Sequence, residues 1–184
     1  MPKIYLLLSR TDTFFARAMH GITKNRYTHV SIALDRELTQ MYSFARRYEN
    51  SPLPAGFIRE HLHQGVYGRC NNADSLVMEL TVSEEAYRFI ADRLMKMEQH
   101  QYKYSYDLFG VMLSALGIAH QRKDKYICSQ FVAQTLQDAG ALTFPRHVSL
   151  IRPQDFASAY PLKVVYQGPL GFADRVSKDT ADIA

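Results

Sequence analysis

Residues 125–136 read KYICSQFVAQTL, and this stretch decides how the rest of the chain is organised. The apolar residues in and just after it recur with the spacing of one helix face: Ile127, Phe131, Val132, Leu136 and Ala139. Gly140 follows immediately and is a typical stop signal for a helix. The pattern therefore predicts a buried helix that carries Cys128 in its first turn.

The predicted position of Cys128 bears on its chemistry. The first N–H groups of a helix have no partner inside it, and the peptide dipoles add to a partial positive charge there. A thiolate at this position is stabilised and becomes a nucleophile, and three basic residues just upstream act in the same direction: Arg122, Lys123 and Lys125. The alternative is a small buried core residue, because free cysteine is often buried.

Composition indicates one globular domain over residues 1–184, with a core at about 4–168 and a polar, frayed tail from about residue 174. The chain has 47% hydrophobic and 22% charged residues, which excludes a disordered protein. A formal net charge of +4 permits an acidic partner, but no nucleic-acid-binding motif accompanies it, so we expect no nucleic-acid partner.

The sequence contains no pattern of a secretory signal, since the apolar run Ile4–Leu8 is short and is followed by Ser9 and Arg10. No stretch approaches the roughly 20 apolar residues of a membrane helix. We therefore expect a cytoplasmic protein without integral membrane association, in which Cys70 and Cys128 are free thiols. No cofactor is implied.

Strand patterns alternate with helix patterns along the chain. Buried strands are predicted at Ile4–Leu8, Tyr27–Leu34, Thr39–Ala45, Ser75–Leu80 and Leu162–Gln167. Helices are predicted at Thr11–Ile22, after Ser83 with Phe89 among its core residues, at Asp107–Leu116 and from Pro153. Residues 51–56 contain two prolines and predict a break, and residues 57–68 fit either a strand or a loop.

His29 is the best placed of the seven histidines to serve as a base for Cys128. It lies within a well-patterned strand, on the face that alternation assigns to Tyr27, Ser31 and Ala33. A histidine there could instead be bonded to a backbone group. A turn centred on Arg36 pairs His29 with Ser43, and a register error of one residue would change that partner.

The remaining histidines do not indicate a functional role. His61 and His63 form an H-x-H pair with Cys70 nearby, but no further ligand has a suitable spacing, so no metal site is predicted. The others fall at predicted helix ends or loops, where we expect solvated side chains: His20, His100, His120 and His147.

Two motifs and their order carry a family resemblance. The segment YTHVSI at residues 27–32, followed about a hundred residues later by YICSQFV at 126–132, resembles the circularly permuted branch of the NlpC-type papain-like hydrolases. That branch includes YiiX-like bacterial proteins and enzymes similar to lecithin:retinol acyltransferase. The segments YSYDLFG at 104–110 and PQDF at 153–156 also resemble elements of the family.

The resemblance implies an α+β, permuted papain-like fold, with an antiparallel sheet packed against helices and the cysteine at the start of a core helix. It implies that Cys128 is the nucleophile and His29 the base. Ser43 is the expected third residue and Glu60 its rival, although a solvated surface charge is the alternative for Glu60. Tyr106 resembles a family tyrosine whose hydroxyl can face the oxyanion, although packing is the alternative for Tyr106.

The resulting expectation is a cysteine hydrolase, a papain-like peptidase or amidase, that cleaves an amide, peptide or ester bond through an acyl-enzyme thioester. Its partner would be a small peptide, amide or acyl substrate, and cell-wall-type peptides are the commonest substrates in the family. Two alternatives stay open: an acyltransferase or lipid-acting thiol enzyme with the same fold, and a non-catalytic binding module.

Overall fold

A computed structural model describes residues 1–10, 26–48 and 51–177, which form a mixed α+β structure. Eight strands form one sheet: β1 (Lys3–Ser9), β2 (His29–Ala33), β3 (Met41–Tyr48), β4 (Ser51–Glu60), β5 (Asp74–Thr81), β6 (Ser105–Tyr106), β7 (Lys125–Tyr126) and β8 (Lys163–Pro169). Their spatial order is β7-β6-β4-β3-β2-β1-β5-β8. Neighbouring strands are antiparallel except for the parallel pair β6 and β7.

Within the described residues five α-helices accompany the sheet: α1 (Gly65–Gly68), α2 (Glu84–Gln99), α3 (Leu108–Ala115), α4 (Cys128–Asp138) and α5 (Pro153–Phe156). Short 3-10 helices occur at Gln101–Lys103, Val148–Leu150 and Leu170–Ser177. The predicted large antiparallel sheet with packed helices is therefore confirmed. Within the described ranges, no helix is long and apolar enough to cross a membrane.

Both faces of the sheet are buried, which explains why β1 is almost continuously apolar. Ile4, Leu6 and Leu8 face the larger core, which includes the inner faces of α2 and α4. Tyr5 and Leu7 face a second core on the other side of the sheet. Side chains of α1 and of the last 3-10 helix complete that second core: Tyr67, Leu170 and Ala173.

The two long helices follow their sequence signals. Ser83 caps α2 as predicted, and its hydroxyl accepts a hydrogen bond from the backbone N–H of Ala86. The prediction of Phe89 as a core residue is wrong, because its side chain lies on the exposed face of α2. In α4, Phe131, Val132 and Leu136 are fully buried against the sheet. Each such side chain contributes about 2 kcal/mol through the burial of apolar surface.

The register between β2 and β3 differs from the predicted one. Ile32 pairs with Tyr42 and Ala33 with Met41, so the turn is longer than the sequence count assumed. Continuing this register places Ser43 opposite Ser31 rather than opposite His29, and the predicted His29–Ser43 pairing is wrong. Leu38 adopts a positive φ of 57° inside the turn, a local geometry that residue counting cannot anticipate.

Four other sequence predictions are corrected or lie outside the described residues. The predicted break at residues 51–56 is part of β4, where Gly56 pairs with Ala45. The carbonyl of Tyr104 lies so close to the backbone of Gly56 that a Cβ atom would not fit there. The frayed tail predicted from residue 174 is wrong for residues 174–177, because Leu170–Ser177 is helical and Asp174 contacts His63. Tyr27 packs in the larger core, whereas the alternation predicts it on the sheet face that carries Ser31. The helix predicted at Thr11–Ile22, and His20 within it, lie outside the described residues, as do residues 178–184.

Candidate active site

Cys128 is the first residue of α4, as the sequence pattern predicts. The preceding residue, Ile127, is extended and caps the helix without a side-chain hydrogen bond, and its carbonyl accepts the first helical bond from the N–H of Phe131. The backbone N–H groups of the first turn therefore have no acceptor inside the helix. The Cys128 side chain is 5% exposed, so it lies at the edge of the core rather than free in solvent.

His29 is the first residue of β2, and its ring lies next to the side chain of Cys128. The ring also contacts the carboxylate of Glu60, whose Oε1 and Oε2 lie 3.1 and 3.4 Å from His29 Nε2, and Ser31 Oγ lies 3.5 Å from the same nitrogen. Because Nε2 faces the carboxylate, Nδ1 is the ring nitrogen available to the thiol. A thiol, an imidazole and a carboxylate thus form a continuous row.

The electrostatics of this row favour a charged imidazole. Burial lowers the pKa of His29, but the negative charge of Glu60 and the interactions with Cys128 outweigh it and raise this pKa from 6.5 to about 10. His29 is therefore an imidazolium at neutral pH. An imidazolium beside a sulfur stabilises the thiolate form of the cysteine.

Glu60 is the last residue of β4 and is buried. Burial raises the pKa of its carboxyl group, but the His29 charge and the hydrogen bonds from His29 and Ser31 reverse this effect and lower the pKa below its ordinary value. The Ser31 hydroxyl donates a short hydrogen bond to Oε2. Glu60 is therefore held as a carboxylate, and a solvated surface charge does not describe it.

Ser43 lies beside Glu60 rather than beside the imidazole. Its side chain is fully buried on β3, and its hydroxyl makes no hydrogen bond within the described residues. The third position next to His29, which the sequence assigned to Ser43 with Glu60 as rival, is occupied by Glu60. The structure brings both residues into one cluster, with the carboxylate between Ser43 and the ring.

Tyr67, on the short helix α1, was not identified from the sequence. Its hydroxyl lies 2.9 Å from Ser31 Oγ and accepts a longer hydrogen bond of 3.5 Å from Ser9 Oγ. Its ring centroid is 6.0 Å from that of His29. Burial and the nearby Glu60 charge raise the pKa of Tyr67, so its hydroxyl stays protonated. Tyr67 and Ser31 together form a polar layer that supports Glu60.

Tyr106, on β6, lies on the other side of the thiol. Its hydroxyl is hydrogen-bonded to Cys128, and burial followed by the negative charge of the sulfur raises its pKa well above 10.0. The phenol is therefore a persistent donor at the sulfur. Two short parallel strands produce this contact, because Tyr106 pairs with Tyr126, two residues before Cys128.

The H-x-H segment forms no comparable cluster. His63 Nε2 lies 2.8 Å from Asp174 Oδ2, and His61 is exposed. Cys70 and Cys128 are both free cysteines. Across residues 1–10, 26–48 and 51–177, no group of three or more histidine, cysteine, aspartate or glutamate side chains is arranged to hold a metal ion.

No family model matches this chain, and no curated protein matches it. The interpretation of the site therefore depends on its geometry. Of the residues selected from the sequence, the structure brings Cys128, His29, Glu60 and Tyr106 together in direct contact and places Ser43 one step away.

Proposed function

We propose that this chain is a cysteine hydrolase of the permuted papain-like type, which cleaves an amide, peptide or ester bond through a thioester intermediate. The observation that carries the proposal is the position of His29 between Cys128 at a helix start and the buried carboxylate of Glu60. Nucleophile, base and orienting residue in this order are the arrangement that thiol-dependent acyl transfer requires.

The first half-reaction would form the thioester. The Cys128 thiolate attacks the carbonyl carbon, and the carbonyl π electrons move to oxygen to give a tetrahedral oxyanion. As the oxyanion collapses, the bond to the leaving nitrogen or oxygen breaks. The His29 imidazolium gives its proton to that leaving atom and becomes neutral. The acyl group is then bound to sulfur.

The second half-reaction would restore the enzyme. Neutral His29 accepts a proton from water, and the resulting hydroxide equivalent attacks the thioester carbon. The carbon–sulfur bond breaks, the acid product leaves, and the thiolate–imidazolium pair is formed again. If an acyl acceptor other than water enters, the same step becomes acyl transfer, which is the alternative proposal.

Two donors are available for the oxyanion. The backbone N–H of Cys128 belongs to the first turn of α4, where the helix dipole also favours negative charge. The Tyr106 hydroxyl contacts the sulfur, and its raised pKa keeps its proton in place for donation. In this proposal Tyr106 and the Cys128 amide share the developing charge.

Glu60 would act as a positioning residue. Its carboxylate fixes the ring so that Nδ1 faces the thiol, and its charge keeps His29 protonated in the resting state. The hydroxyls of Ser31 and Tyr67 would in turn keep Glu60 in one orientation. Ser43, the third residue expected from the sequence, could orient the His29 ring but could not supply a negative charge to it.

The alternative of an acyltransferase or lipid-acting thiol enzyme is favoured by one observation. Helix α3 begins two residues after Tyr106 and exposes large apolar side chains. An acyl chain would find apolar surface close to the thiol. Peptides, amides and acyl esters therefore remain the substrate classes of this proposal.

The test is covalent labelling followed by intact-mass spectrometry, in a Cys70→Ala background that leaves one thiol. Two electrophile series are compared, one carrying short peptides and one carrying acyl chains. We expect a single adduct on Cys128, no adduct in Cys128→Ala, and a rate at least about 100-fold lower in His29→Ala. His63→Ala, which changes an exposed histidine, is the matched control and should label at the parent rate.

The two series also separate the two candidate functions. Faster labelling by peptide electrophiles supports the hydrolase of peptides or amides, and faster labelling by acyl electrophiles supports the lipid-acting alternative. Labelling no faster than that of free cysteine, or unaffected by His29→Ala, would refute both and leave the non-catalytic binding module.

A further inference from the structure

Helix α3 exposes large apolar side chains and buries small residues, the reverse of what a surface helix normally does. Its sequence, LFGVMLSA, is mostly apolar, yet its buried residues are Gly110 and Ser114. Four large apolar side chains of the helix and the following loop are exposed: Phe109 by 51%, Met112 by 64%, Leu116 by 73% and Ile118 by 51%. A surface helix normally buries such residues. A contiguous apolar patch of this kind marks an interaction surface.

The outward orientation is fixed by the start of the helix. Asp107 caps α3 and is buried, and its Oδ1 accepts a hydrogen bond of 3.0 Å from the backbone N–H of Gly110. A Cβ atom at position 110 would lie only 2.7 Å from Asp107 Oδ2, so glycine is needed for this close approach. The buried Asp107 cap, Gly110 and Ser114 therefore lie on the side of the helix that packs on the protein, and the larger side chains are exposed.

The charge around the patch indicates what covers it. Residues 108–121 contain no aspartate, glutamate, lysine or arginine, and the segment that follows begins with Arg122 and Lys123, both exposed. Arg122 Nη1 lies 3.4 Å from Asp107 Oδ1, which brings this basic segment beside the first turn of α3. Asp124, the nearby acidic residue, lies 3.6 Å from Lys103.

The loop after α3 folds back onto the same patch. The ring of His120 packs edge-on against Phe109, with the centroids 5.6 Å apart, and its backbone N–H is bonded to Ser149. Ile118 is thereby held near the exposed side chains of the helix rather than extended into solvent. Apolar side chains bordered by cations are typical of segments that lie in the plane of an anionic lipid surface.

We propose that α3 and the loop to Lys123 dock onto an anionic lipid bilayer, with Phe109, Met112, Leu116 and Ile118 entering the boundary of the acyl chains. Eight helical residues extend about 12 Å, so the helix lies on the membrane and does not cross it. Lys123 then faces the lipid phosphates, beside Arg122, whose charge is paired with Asp107. This docking does not depend on the proposed chemistry, and its test measures binding alone.

The test is co-sedimentation of the full chain with two kinds of vesicle. One kind contains phosphatidylcholine alone, and the other contains about a third phosphatidylglycerol, an anionic lipid that gives the vesicle a negative surface potential. We expect binding to the anionic vesicles that weakens with added salt. Leu116→Glu should weaken it by about tenfold or more, because it removes an apolar contact and adds a repelled charge. Lys123→Glu should weaken binding to the anionic vesicles and leave the neutral ones unchanged.

The matched control is Met95→Glu, which introduces the same charge at an exposed methionine of α2, away from α3. It should bind vesicles as the parent chain does, and circular dichroism should show all variants folded. Absence of vesicle binding, or equal binding by Leu116→Glu and the parent, would overturn the proposal. So would a dimer in gel filtration that Leu116→Glu dissociates, because a second copy of the chain would then cover the patch.

Discussion

Glu60→Gln tests the electrostatic basis of the site. The substitution keeps the size of the side chain and an oxygen that can accept from His29, but it removes the negative charge 3.1 Å from Nε2. At that distance a unit charge pair is worth about 5 kcal/mol with an effective dielectric constant of about 20. Raising the His29 pKa from 6.5 to about 10 also corresponds to about 5 kcal/mol. The Glu60 charge is therefore large enough to explain the protonated imidazole.

Without that charge, burial lowers the pKa of His29 and only the interactions with Cys128 still raise it. We expect the pKa of His29 to fall well below its value of about 10 in the parent chain. The measurement is the titration of the histidine ring protons by NMR, with the His29 signal assigned from His29→Ala. Glu98→Gln is the matched control, because Glu98 contacts Tyr42 and Arg59 and lies outside the His29 cluster.

The same change alters the dependence of stability on pH. A pKa raised in the folded state contributes stability that is fully present below pH 6.5 and is lost as pH rises through about 10. The parent chain should therefore lose up to about 4 kcal/mol more than Glu60→Gln in urea unfolding between pH 7 and pH 10.5. Equal losses, or a His29 pKa that Glu60→Gln leaves unchanged, would refute the role given to Glu60.

Three further predictions concern the supporting residues. Tyr67→Phe removes the hydroxyl beside Ser31. It should lower the free energy of unfolding in urea by about 1 kcal/mol and slow the labelling of Cys128 severalfold. A loss of stability without slower labelling would make Tyr67 purely structural. Tyr106→Phe should slow acylation of Cys128 by a carbonyl substrate about 100-fold with little change in stability, and an unchanged rate would exclude its hydroxyl from the oxyanion site. Phe131→Ala should lower the free energy of unfolding by about 4 kcal/mol, measured in urea, because it leaves a cavity at a fully buried position on the inner face of α4. A loss under 1 kcal/mol would contradict the packing described here.

Much of the fold was predictable because its signals are local. The apolar spacing of α4 and the stop at Gly140, which has a φ of +65°, fix the helix that carries Cys128. Ser83 with the following acidic residues fixes the start of α2. The apolar run Ile4–Leu8 identified β1, and alternation identified β2, the strand that carries His29.

The rest depended on long-range contacts that a sequence pattern does not encode. Glu60 follows a proline-containing segment, so neither its strand nor its burial could be predicted from spacing. The position of Tyr67 beside Ser31 results from the packing of a four-residue helix against the far face of the sheet. The sequence indicated His29 and Cys128 as partners, but the orienting residue was decided by the β2–β3 and β3–β4 registers.

The pairing of Cys128 with His29 is tested most directly by the rate of Cys128 alkylation with iodoacetamide across pH 5–10, in the Cys70→Ala background. The account predicts rapid alkylation at pH 6–7, where an isolated thiol with its ordinary pKa of about 8.5 reacts slowly, and a rate at pH 6 at least about tenfold lower in His29→Ala. An alkylation rate that rises only near pH 8.5, with the same profile in His29→Ala, would contradict it.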